Sequence, residues 1–139
     1  MRTYLAVAIG GLLGTGLRLA FDLAFPHDDG AFPLETLLVN LGGTFVLGWL
    51  VGGLWTRRRM PHWLKAGLGA GVLGSFTTLS SVMAALVVLS REGEHATAAL
   101  YLGVSIVGGL VVAAIGLRFG SLIAHEPMPT EVTDAGETL

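Results

Sequence analysis

Cysteine is absent, which excludes disulfides, zinc–thiolate sites and iron–sulfur clusters and leaves the redox compartment unread. Charge is scarce: 13% of residues are Asp, Glu, Lys or Arg, against roughly a quarter in an ordinary soluble domain. The net charge is −2. No basic stripe is therefore available to neutralise phosphates, and nucleic acid is not an expected partner. Carboxylates are missing from the middle of every long apolar run; Asp22 and Glu35 stand at run borders and the others fall in connectors or the tail. The four histidines, His27, His62, His95 and His125, sit at run ends or loops without metal-ligand spacing. An intramembrane protease or a carboxylate-driven proton exchanger would need such groups at depth. Catalysis is therefore not expected, and a small-solute exporter of that kind is disfavoured.

What the chain has is apolar length. Of its 139 residues 53% are hydrophobic, and the mean hydropathy is +0.72. A spanning helix needs about 20 mostly apolar residues. Four segments qualify: Tyr4–Phe25, Leu34–Trp55, Trp63–Leu89 and His95–Ala124. The first is long, carries only Arg2 ahead of it and has no clear small-residue cleavage site, so it reads as a span rather than a signal peptide. The expected fold class is an all-α membrane protein with four transmembrane helices. Residues 1–124 form the membrane domain, and residues 125–139 form an acidic tail expected to be disordered. Glycine is abundant, 21 residues, and in membrane helices small residues let backbones approach closely.

Basic residues set the expected orientation. Arg2, Arg57, Arg58, Arg59, Lys65 and Arg118 fall on one side of a four-span chain, and Arg91 alone on the other. That bias predicts a multi-pass protein of the cell membrane with both termini in the cytoplasm. Trp55 and Trp63 flank the basic loop, where interfacial aromatics belong.

The polar groups inside the runs are few. Asn40 and Thr44 lie at i, i+4 in the second run; Tyr101 and Ser105 repeat that spacing in the fourth, with Gly109 one turn on. They read either as interhelical hydrogen-bond partners or as the lining of a polar route, and Tyr101 also suits an interfacial belt. Arg18 is the one charge well within a run. It either snorkels to headgroups or forms a cationic vestibule that draws anions. The third run is longer than a straight crossing needs, and residues 71–81 read Gly-Val-Leu-Gly-Ser-Phe-Thr-Thr-Leu-Ser-Ser. Gly, Ser and Thr weaken a helix there. A break at mid-membrane would free backbone groups, which are tolerated at depth only inside protein or along a cavity, where they can hold ions. The other reading is a continuous helix that docks a neighbour through Gly67 and Gly71.

Residues 10–18, Gly-Gly-Leu-Leu-Gly-Thr-Gly-Leu-Arg, residues 33–48, Pro-Leu-Glu-Thr-Leu-Leu-Val-Asn-Leu-Gly-Gly-Thr-Phe-Val-Leu-Gly, and residues 71–80 together resemble the Fluc (CrcB) fluoride channels. The resemblance runs over about residues 4–120, with three motifs in order. It implies an antiparallel dimer of four-helix subunits that conducts fluoride passively out of the cytoplasm. It also implies a structural sodium ion at the dimer centre, held by the backbone carbonyls of Gly74 and Thr77. By the same resemblance Asn40, Ser80, Ser81, Tyr101 and Ser105 would line the pore, and Arg18 matches the arginine that closes the first motif. The chemistry is coherent. Oxygen ligands suit a hard cation. A strongly hydrated anion must exchange water for amide and hydroxyl donors or positive aromatic edges, held weakly enough to leave.

Two departures stand out. The family's third span usually reads Thr-Thr-Phe-Ser-Thr-Phe, and its two phenylalanines correspond here to Leu79 and Val82; the family's glutamate two turns past the Thr pair corresponds to Ala85. An aliphatic side chain has no positive ring edge. The strong charge bias also disfavours insertion in both directions. These features point beyond a homodimer to a heterodimer with an inverted paralogue that supplies the phenylalanines, or to a non-conducting assembly subunit.

Overall fold

The computed structural model describes residues 1–25, 32–56 and 60–123. The acidic tail, the three arginines at 57–59 and most of the first connector lie outside them. The described residues are helical, with no strand among them. Four segments are long and apolar enough to cross a membrane, Arg2–Ala24, Leu34–Thr56, His62–Arg91 and His95–Ile123, each end within two residues of the sequence expectation.

We number the helices α1 (Arg2–Ala24), α2 (Leu34–Gly52), α3 (His62–Ala66), α4 (Gly74–Phe76), α5 (Leu79–Arg91) and α6 (His95–Ile123). A short 3₁₀ turn, Leu54–Thr56, closes the second span, and Lys65 Nζ donates to the Trp55 carbonyl beside it at 2.6 Å. Between α3 and α4 the chain runs through a π-helical stretch, Gly67–Leu73. The third span ends in a left-handed glycine turn. Gly93 has φ 81°, the Glu94 amide bonds to the Leu89 carbonyl (2.9 Å), and the Gly93 amide bonds to Ser90 (3.3 Å). That pair of bonds is the Schellman closure, which needs a residue that tolerates positive φ.

The bundle is built from two glycine-seamed pairs. α1 packs along α3, the π-helical stretch and α4, whereas α2 packs along α6. In the first pair a methyl group added at Gly10 would strike the Gly67 carbonyl, and one at Gly14 the Val72 carbonyl. In the second pair a methyl group at Gly48 would lie 2.6 Å from the Ala113 carbonyl oxygen, and one at Gly52 would strike the Leu117 carbonyl. Rising numbers meet rising numbers in both seams, so each pair runs parallel. Small residues four apart on facing helices bring backbones together, and in a membrane this substitutes for a hydrophobic driving force.

The third span changes partner along its length. Its first half, residues 62–76, lies on α1; its second half, α5, leaves α1 and packs on α6. Among the described residues only eight hydrophobic ones are buried, including Leu37, Val82 and Tyr101, which form one cluster with Phe32, Leu41 and Leu86 around it. Many of the other large apolar side chains, such as Leu12, Leu23, Leu110 and Leu122, point outward. This inside-out distribution is what lipid as a solvent requires.

Candidate functional site at the third-span interruption

Where the third span changes partner, the helix is interrupted. Thr77 and Thr78 are extended, with φ/ψ of −82°/154° and −149°/125°. In a continuous α-helix the Thr78 amide would bond to the Gly74 carbonyl, and the Ser81 amide to the Thr77 carbonyl. Neither does so here. The Thr78 amide donates to Asn40 Oδ1 at 2.8 Å, and the Ser81 amide donates to Thr78 Oγ1 at 3.2 Å, which caps α5. Gly74 and Thr77, the two residues to which the resemblance assigns a sodium ion, thus lose the donors a continuous helix would give their carbonyls. Such oxygens suit a hard monovalent cation, so the residues fit that group.

Asn40 is the counterpart of the interruption. Its Oδ1 accepts from the Thr78 amide, and its Nδ2 donates to the Thr78 carbonyl at 2.9 Å. One side-chain amide thereby replaces both halves of a backbone pairing, leaving one Nδ2 hydrogen for another acceptor. α2 can bring Asn40 that close because Gly43, one turn on, presses directly against the Thr77 methyl.

Arg18 approaches from α1. Its Nε donates to both Asp22 carboxylate oxygens at 3.1 and 3.2 Å, one turn away on the same helix. Its Nη1 reaches the Phe76 carbonyl at 3.5 Å, and its Nη2 reaches Ser81 Oγ at 3.4 Å. The guanidinium is turned toward the interruption, and the Arg18 side chain is 15% exposed. Ser80 Oγ lies 2.8 Å from Thr78 Oγ1.

Further polar residues gather beside Thr78. A cleft of about 340 Å³ is bordered by Asn40 and Thr44 of α2, Thr77 and Thr78, and Ser105 and Gly109 of α6. Of the two i, i+4 pairs noted in the sequence, Asn40, Thr44 and Ser105 therefore face one space. Tyr101 does not border it. Its side chain is fully buried in the Leu37–Val82 cluster, edge-on to Phe32 with ring centroids 5.4 Å apart. The Tyr101 and Ser105 hydroxyls are neighbours, yet neither makes a hydrogen bond of acceptable geometry. Leu79 and Val82, the positions that correspond to the phenylalanines, differ sharply. Leu79 is 72% exposed, whereas Val82 is 5% exposed and packs on Tyr101 and Leu37.

Sequence reasoning passed over Thr78, Asp22 and Gly43. Signals for two of them existed: Thr78 precedes an apolar helix as a capping residue should, and Asp22 stands four residues from Arg18. Gly43 had none, because its role lies wholly in what packs on it.

Four apolar helices seamed by glycine, with a polar constellation around an interrupted third span, define a small multi-pass membrane protein. Its family follows from comparison. The profile described as CrcB-like protein, Camphor Resistance (CrcB), matches residues 5–117, and the chain belongs to that family. It is 38% identical over 114 residues to the fluoride-specific ion channel FluC 2 of Geobacillus kaustophilus, covering 81% of this chain and 88% of that protein. It is likewise 38% identical over 123 residues to FluC 1 of Bacillus thuringiensis subsp. konkukian (86% and 88%), and 38% over 118 residues to FluC 2 of Listeria innocua (85% and 90%). All three relatives are named fluoride-specific ion channels.

Proposed function

We propose that this chain is a subunit of a fluoride-specific ion channel that lets fluoride leave the cytoplasm passively. The observation that carries the reading is the interrupted third span, ringed by hydroxyl and amide donors, in a chain 38% identical over most of its length to relatives of that name. Neutral donors replace the water of a small anion without trapping it, and among the described residues no carboxylate borders the cleft.

The interruption sits at the sixteenth of the thirty residues of the third span, which supports a break near the middle of the membrane. The diverted Thr78 and Ser81 amides support a structural sodium ion held by Gly74 and Thr77 carbonyls. A backbone oxygen exposed to lipid would be costly, so a second subunit facing Gly74 completes the picture as an antiparallel dimer. The charge bias of the connectors supports cytoplasmic termini, and with them a heterodimer with an inverted paralogue. Leu79 and Val82 favour one competing reading, a non-conducting subunit that assembles a conducting partner. Fluoride efflux from liposomes tests both: the chain alone is expected to conduct weakly, and an inverted paralogue bearing the phenylalanines restores flux. Unchanged, negligible flux with that paralogue sinks the channel reading.

A further inference from the structure

Arg18 touches both sides of the interruption at once. Its Nη1 is on the Phe76 carbonyl, the last residue of α4, and its Nη2 is on Ser81 Oγ, in the first turn of α5. Its Nε is occupied by the Asp22 carboxylate, so the positive charge is offset locally. A guanidinium presents its donors from three nitrogens spread over one rigid plane, whereas an ammonium presents all of its donors from a single nitrogen. The Phe76 carbonyl also needs a partner, because α4 stops there and the extended Thr77–Thr78 segment follows. Asn40, on α2, binds Thr78. Arg18, at Phe76 and Ser81, and Asn40, at Thr78 between them, therefore hold the interruption from two helices.

We infer that the Arg18–Asp22 pair is a neutralised clamp that fixes the spacing of α4 and α5 across the interruption, making Arg18 a positioning residue for the Thr77 carbonyl and the Ser80 and Ser81 hydroxyls rather than a free charge that attracts anions. Asp22 is part of the device: it orients the guanidinium along α1 and cancels the field a bare cation would project. The inference deepens the channel reading and rests on it for what the positioned groups do.

Arg18→Lys separates the alternatives, since it keeps the charge and loses the three-way bridge. The full-length chain is placed in lipid nanodiscs, and amide hydrogen exchange is followed at Thr78 and Ser81, whose N–H groups bond to Asn40 and Thr78 Oγ1. Exchange at those two amides is expected to accelerate about tenfold or more, the effect of losing a charge-assisted hydrogen bond, while amides of α6 stay as in the unmodified chain. In liposomes where the chain conducts, alone or with a paralogue, the ratio of fluoride to chloride flux is expected to fall. Unchanged exchange at Thr78 and Ser81, acceleration shared equally by α6, or an unchanged flux ratio in a conducting variant overturns the clamp. If no arrangement passes fluoride, the channel reading fails by itself, and the exchange comparison still decides whether Arg18 holds the interruption.

Discussion

At the scale of single residues, Asn40 and the pair Leu79–Val82 show how a neighbour decides a role. Asn40 spends its carbonyl and one amide hydrogen on Thr78, so replacing it leaves a backbone donor and a backbone acceptor without these partners in a part-buried place. Asn40→Leu is expected to cost about 1–3 kcal/mol of stability, read as a lower midpoint of thermal unfolding in detergent, together with loss of fluoride flux. Full stability with abolished flux would show that the amide serves the ion instead of the backbone. The two aliphatic positions should separate as well. Leu79 faces outward, so Leu79→Phe is tolerated by the single chain. Val82 is enclosed by Leu37 and Tyr101, so Val82→Phe overpacks that cluster and costs about 1–3 kcal/mol. Equal unfolding midpoints for the two variants would contradict this placement.

At the scale of elements, the four spans were legible to within two residues because lipid as solvent imposes one simple pattern, apolar length. The weak point of the third span was legible too, from Gly, Ser and Thr at its centre. What composition did not reveal is that the two readings of that span are halves of one design. Gly67 and Gly71 do dock α1, as a continuous helix would, and the chain is then interrupted six residues on so that α5 can reach α6. The Arg18 contacts to Phe76 and Ser81 were illegible because they join residues 58 and 63 positions apart, and no periodicity records such a meeting. The seams yield a sharp comparison within one helix. Gly116 meets the Phe45 carbonyl, whereas a methyl group at Gly103 would have nothing within 4 Å. Gly116→Ala should therefore lower the unfolding midpoint, since backbone cannot yield as a side chain can. Gly103→Ala should leave it unchanged or raise it, because alanine is the better helix former by about 1 kcal/mol. Matching effects at both positions would mean that α2 and α6 are not held by this seam.

At the scale of the whole molecule, the face around Gly74 is the least self-sufficient part of the chain. Gly74 is exposed, its carbonyl has lost the Thr78 amide, and an added methyl group would meet only the Gly69 carbonyl at an ordinary 3.5 Å. Nothing inside the chain therefore requires glycine at 74, unlike Gly10 or Gly116, where a methyl group would collide with backbone. A glycine that its own chain does not need, beside a carbonyl that hydrocarbon cannot satisfy, argues for a second subunit and an ion at that place. Gly74→Ala makes the distinction measurable. The helical content and unfolding of the monomer should match those of the unmodified chain, because the fold has room for the methyl group. The fraction of dimers counted by single-molecule photobleaching in liposomes should drop, as should any stabilisation by sodium over lithium or potassium. Dimers that persist with their sodium dependence intact would place the subunit interface elsewhere and remove Gly74 from the ion site. A monomer that unfolds more easily would instead mean that the glycine serves its own chain, and that the space beside the Gly69 carbonyl is smaller than it looks.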